Sequence, residues 1–185
     1  NGIHHVKSLT SLNLENCRSL RQIEDLNECH LLEYLNLVGC INLESLSGLS
    51  GTKLRCLELS LANYQHIQNF DEISHIAEYL EHLRLINIPA LEHVDFLKKS
   101  YQLKILELPQ CHNLENLDGV SELNCLEELK LSVCTKLDSL KPLSGLCNLK
   151  VLSAVSCHGL RNLEGIGGCG NLEEIDLSRC NSLID

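Results

Sequence analysis

Aromatic residues are nearly missing from this chain. They make up 3% of its 185 residues, with no tryptophan and two phenylalanines, while 44% of the chain is apolar. A sizeable core is therefore possible, but leucine must do the packing that large rings do elsewhere. No run of 18 apolar residues occurs, so no membrane-spanning helix is expected. No charged-then-apolar leader opens the chain, although a processed protein would show none either. Bases are scarce: 15 against 25 acids, for a net charge of −10. That balance argues against a general nucleic-acid or anionic-membrane surface. It permits a basic partner without requiring one. There is no C-x-x-C spacing, phosphate-binding glycine loop, metalloprotease helix or hydrolase elbow. No cofactor, metal or catalysis is expected.

What the chain does have is a period. LEELKLSVCTKL, from Leu126 to Leu137, carries leucine at its first, fourth, sixth and twelfth places and cysteine at its ninth. The frame recurs at Leu9, Leu32, Leu103, Leu149 and Leu172, and in degraded form at Leu54 and Leu80. The steps between the eight starts are 23, 22, 26, 23, 23, 23 and 23. Places three to seven alternate, as in Glu128-Leu129-Lys130-Leu131-Ser132, which predicts a short strand with one buried face. Apolar residues return at places fifteen and eighteen, for example Leu140 and Leu143. That spacing of three predicts a short helical or 3₁₀ return. One repeat cannot bury its own leucines, whereas a stack of repeats can.

This frame resembles the leucine-rich repeat family, whose signature is L-x-x-L-x-L-x-x-[N/C]-x-L over a 20–29-residue period, with the last leucine one place later here, and the resemblance covers essentially the whole chain. It is most similar to the intracellular phosphatase-regulator class. LEYLNLVGCINLESL also resembles repeats of plant immune receptors and of kinetoplastid leucine-rich repeat proteins. The resemblance implies an α/β right-handed solenoid, with a parallel sheet on the concave side and short helical or 3₁₀ returns on the convex side. Eight strands would span roughly 35 Å along the stack.

Eleven cysteines in a short chain would suggest disulfides. Six of them, Cys17, Cys40, Cys111, Cys134, Cys157 and Cys180, fall at place nine, where a buried thiol column is expected. Cys29, Cys125, Cys147 and Cys169 precede the next repeat and are also expected to be packed. Thiols used this way favour a reducing, intracellular compartment, the cytoplasm first. The ladder is broken at Ala62 and Ile88. The third repeat carries three extra residues, and Phe70, Ile73, Ala77 and Leu80 predict an α-helix near Asp71 to Tyr79. Ile3 matches place eighteen of a repeat, and Asp185 stands at place fourteen of the eighth. The chain thus reads as a single domain over 1–185, cut within repeats at both ends. Open ends leave room for end-to-end self-association.

In a solenoid of this family, places three, five, seven and eight face the concave solvent side. The middle of that surface sets Tyr34, Asn36, Val38, Ile86, Ile105 and Pro109 among Glu58, His82, Arg84, Glu107, Glu128 and Lys130. Apolar side chains in a polar frame are the anatomy of a protein interface. β-branched residues also simply suit strands. A second row, at place thirteen, holds Glu44, Glu92, Glu115 and Asp138 between Arg21 and Arg161, and could meet a basic patch. Cys56 and His82 share place three on neighbouring strands, near Glu107, and form the one arrangement worth testing as a nucleophile. Cys111-His112 and Cys157-His158 should point apart at the end of a strand. The expected function is a scaffold that binds another protein, without catalysis. The alternatives are a recognition region of a larger protein (phosphatase regulator, ubiquitin-ligase adaptor or immune sensor) and a structural spacer in a cytoskeletal assembly.

Overall fold

The computed structural model describes residues 2–60 and 70–184. Its strands are β1 (Ser11–Asn13), β2 (Tyr34–Leu37), β3 (Cys56–Ser60), β4 (His82–Ile86), β5 (Ile105–Glu107), β6 (Glu128–Lys130), β7 (Val151–Ser153) and β8 (Glu174–Asp176). Each begins at place three of its repeat. They form one sheet in chain order, and the pairs are parallel. Each place pairs with the same place in the next coil, as in Leu83 with Leu106 and Leu106 with Leu129. Every place therefore becomes a row across the sheet. Parallel neighbours usually need a helical crossover. Here the return is a 3₁₀ turn, such as Ser47–Leu49, Asp95–Leu97, Asp118–Val120 or Lys141–Gly145.

Local chemistry sets both ends of each strand. Alternation turns places four and six inward, and Leu57, Leu59, Leu83, Leu85, Leu129 and Leu131 are fully buried. Place eight then ends the strand in the left-handed region. Asn16, Asn87, Gln110, Val133, Ser156 and Arg179 all have φ between 50° and 66°, and Gly39 has 76°. Place nine follows with the thiol ladder. Each Sγ donates to the place-six carbonyl of the preceding coil: Cys40 to Leu14 at 3.1 Å, Cys111 to Leu85 at 3.5 Å, Cys134 to Leu108 at 3.2 Å, Cys157 to Leu131 at 3.0 Å and Cys180 to Ala154 at 2.9 Å. Burial pushes the Cys111 thiol up to about 11, and raises Cys40 and Cys180 as well.

The return starts with a side-chain cap at place fourteen. Ser45 Oγ accepts the Ser47 N–H at 3.0 Å, Asn116 Oδ1 that of Asp118 at 3.2 Å, and Ser139 Oγ that of Lys141 at 3.2 Å. Neighbouring returns lie so close that a Cβ on Gly48 would stand 1.9 Å from the Ile23 carbonyl oxygen. One continuous aliphatic column results, from Ile23 to Cys180. Each fully buried leucine contributes about 1.5–3 kcal/mol.

Four expectations need correction. The helix over Asp71 to Tyr79 is instead one α-turn, α1 (Asp71–Ser74), and a separate 3₁₀ turn, Ala77–Tyr79. The expected apolar residues Phe70, Ile73, Ala77 and Leu80 are all buried, as is Ile76, but the winding changes from α to 3₁₀ after Ser74. Cys17 is exposed: among the described residues β1 pairs with β2 alone, so no carbonyl of another coil lies on its other side. Cys125 and Cys147 are exposed too; they lie on the outer seam where each coil descends into its strand. Leu163, at place fifteen, is exposed rather than covered. Ile88 does break the ladder: it is buried and has no donor. Ala62 lies outside the described residues.

Candidate functional site

The solvent face of the sheet carries three rows, from places three, five and seven. Place five forms the middle row and is built in two ways. In the outer coils an Asx side chain caps the strand end. Asn13 Oδ1 accepts the Glu15 N–H at 2.8 Å, Asn36 Oδ1 that of Val38 at 2.9 Å, and Asp176 Oδ1 that of Ser178 at 2.9 Å. Asn36 is thereby drawn down and buried, which leaves it the least available of the twelve expected contact residues.

In the central coils place five is a chain of ion pairs. Arg84 Nη1 lies 3.3 Å from Glu58 Oε2, and its Nε lies 3.0 Å from Glu107 Oε2. Lys130 Nζ is 3.0 Å from Glu107 Oε1 and 3.1 Å from Glu128 Oε2. At the other end the Tyr34 hydroxyl donates to Glu58 Oε1 at 3.1 Å. Burial first, and then that bond to Glu58, hold the Tyr34 hydroxyl above its ordinary range. The hydrogen bond to Glu107 leads in raising Lys130. Six of the expected residues, Tyr34, Glu58, Arg84, Glu107, Glu128 and Lys130, are thus one network spanning β2 to β6. Around it, Ile105 and His82 stand at place three, and Val38, Ile86 and Pro109 at place seven; all five are half-buried.

Place two carries a row that the sequence reading missed. After Thr10 in the first repeat it reads Glu33, Arg55, Glu81, Lys104, Glu127, Lys150, Glu173, alternating in sign from the second repeat on. Arg55 Nε donates to Glu81 at 2.7 Å and its Nη1 is 3.8 Å from Glu33. Lys104 Nζ is 3.0 Å from Glu81, and Lys150 pairs with Glu127. The Lys104 hydrogen bond, followed by that of Arg55, holds the Glu81 carboxyl below the usual carboxylate range. The signal was available: aligned at place two, the charges alternate without exception. At place thirteen, Glu44 is taken by Arg21 at 2.8 Å and Glu115 by Lys136 at 3.3 Å, so this row is partly neutralised within the chain.

Cys56 Sγ and His82 Nδ1 are 3.7 Å apart. The environment opposes a nucleophile. Burial first, then Glu58 and Glu107, push the thiol up to about 11, away from the reactive thiolate. At the strand ends Cys111 and Cys157 are buried while His112 and His158 are exposed, so neither pair converges. Among the described residues, no helix is long and apolar enough to cross a membrane.

No protein-family model matches the chain, and no curated protein matches it. Solved structures do. Internalin C2 from Listeria monocytogenes superposes with a TM-score of 0.76 at 19% identity, covering 96% of this chain and 74% of the other. The functional domain of InlJ from Listeria monocytogenes, described as including a cysteine ladder, superposes with a TM-score of 0.55 at 18% identity. That match covers 100% of this chain, which spans 52% of the InlJ domain. The eightfold register, the 3₁₀ returns and the place-nine thiols agree with these likenesses, and the fold is that of a leucine-rich repeat solenoid with a cysteine ladder.

Proposed function

We propose that the concave face binds a partner protein, without catalysis, around the network from Tyr34 to Lys130. One observation carries this reading. The charges at the centre of the face are already paired with one another, while Val38, Ile86, Ile105 and Pro109 remain half-exposed on either side. A prepaired spine is ordered before a partner arrives, so less side-chain entropy is lost on docking. Its apolar flanks supply the area that leaves water. The same pairing argues against a strongly basic partner here, because the carboxylates of Glu58 and Glu107 are already engaged. The exposed thiols Cys17, Cys125 and Cys147 support a reducing surrounding, since free surface thiols oxidise elsewhere.

The test is affinity capture with the wild-type chain beside an Ile86→Glu/Ile105→Glu variant whose fold is checked by circular dichroism. Arg84→Glu is avoided, because it would set a third carboxylate between Glu58 and Glu107. A partner held by the wild type and lost by the folded variant supports the concave face. A partner held equally by both places the interface elsewhere on the molecule.

A further inference from the structure

Where the fifth, seventh and eighth coils descend into their strands, a side-chain amide ties each to the coil before it. Gln102 Nε2 donates to the Glu78 carbonyl at 2.9 Å, Asn148 Nδ2 to that of Asn124 at 2.7 Å and Asn171 Nδ2 to that of Cys147 at 2.8 Å. These amides occupy the residue just before place one. The sixth coil has Cys125 there and the first Ser8, while the second, third and fourth coils, with Leu31, Lys53 and Tyr79, form the longest run without an amide between larger side chains. Beside these three residues lies a surface hollow of about 300 Å³, which they line together with His30, Arg55, Gln102 and the carboxylates of Glu33 and Glu81.

Two features say what the hollow suits. The first is apolar exposure. Leu31, which lines the hollow, is 57% exposed. The second is charge. The chain as a whole is acidic, with a net charge of −10, yet the hollow holds a spare cation. Glu33 and Glu81 are both engaged by Arg55, and Glu81 also by Lys104. Lys53 has no carboxylate partner among the described residues; its Nζ stands 5.9 Å from the centroid of the Tyr79 ring. An ammonium held over an aromatic face, beside an exposed leucine, is a receptor for an anion attached to an apolar group.

We propose that this hollow docks an acidic peptide segment of a partner protein, with a carboxylate against Lys53 and a neighbouring leucine or aromatic side chain in the gap left by the missing seam amides. The site lies on the rim of the sheet and does not depend on the concave rows. The same partner could engage both surfaces, but neither requires the other.

The experiment is selection of random peptides displayed on phage against the full chain, followed by titration of the best synthetic peptide. The selected peptides should be enriched in Asp or Glu beside Leu, Phe, Tyr or Trp. Binding should weaken by about tenfold or more in Lys53→Glu and, less steeply, in Lys53→Gln. A Lys53→Asn/Tyr79→Asn variant restores the seam chemistry, with its amides placed for the His30 and Thr52 carbonyls. It should melt no lower than the wild type and still lose the peptide, which separates loss of the site from loss of the fold. The concave variant Ile86→Glu/Ile105→Glu should keep the peptide. Selected peptides without an acidic excess, equal binding by Lys53→Glu, or no selectable binder at all would overturn the proposal.

Discussion

At the scale of single residues, place eight is where this chain is strained. Every described coil except the third, whose place eight lies outside the described residues, turns there with φ between 50° and 76°. Asn16, Asn87 and Gly39 suit that conformation. Val133, at φ 66°, does not, because a β-branched side chain crowds its own backbone in the left-handed region. Val133→Asn is therefore expected to raise stability by about 1 kcal/mol, read as a higher urea midpoint with an unchanged slope. An unchanged midpoint would mean that contacts of the valine already offset the strain. One place further on, the ladder thiol both fills space and bonds a carbonyl. Cys157→Ala removes the sulfur and leaves the Leu131 carbonyl one donor short, so it should cost about 1–3 kcal/mol. Cys157→Ser, which keeps a donor, should cost less if the 3.0 Å bond matters. Equal losses in the two variants would assign the effect to packing alone.

At the scale of the element, rows matter more than strands. The place-two and place-five rows tie each coil to the next through side chains, and part of that tie is sensitive to pH. Glu81 sits below its usual range because Lys104 and Arg55 favour its charged form. A carboxyl depressed in the folded state adds stability that is present above its unfolded value and is lost as pH falls through the depressed folded value. The urea midpoint should accordingly drop between about pH 5 and about pH 3, and the drop should be shallower in Glu81→Gln. Parallel slopes in the two proteins would show that Glu81 is not among the groups responsible. The strands themselves were legible in the sequence, because alternation at places three to seven and leucine at four and six admit one register. The place-two row was written there as well, but only across repeats: within any one coil, Glu33 or Arg55 looks like an ordinary solvated charge. Cys125 and Cys147 misled for the opposite reason. Nearness to the next leucine suggested burial, yet the two residues before place one lie along the exposed seam, where Asn148 and Asn171 bridge coils at the surface. The helix near Phe70 was misread because apolar spacings of three and four occur together there: Ile73, Ile76, Ala77 and Leu80 are all buried, and that pattern fits an α-turn followed by a 3₁₀ turn as well as it fits one helix.

At the scale of the molecule, the open question is whether the broken ladder makes a joint. Repeat arrays touch only their neighbours, so one weak interface can divide an array into separately unfolding parts. Ile88 offers no thiol to the coil before it. Two features compensate at that boundary. β3 and β4 are five residues long where most strands have three, and their pairing runs from Cys56 with His82 to Ser60 with Ile86. Phe70, in the return of the third coil, stacks on Phe96 in the return of the fourth, with ring centroids 5.1 Å apart. The longer ladder and the ring pair lie on opposite sides of the core, so together they brace the interface across its width. The array should therefore open as one unit across this boundary rather than divide at Ile88. Native-state hydrogen exchange is expected to find the amides of β3, β4 and β5 among the slowest, with no step in protection between the third and fourth coils. If the amides of the first three coils instead exchanged together, with a common opening energy clearly below that of the last five, the boundary at Ile88 would be a joint, and the two halves of the concave face could move relative to each other.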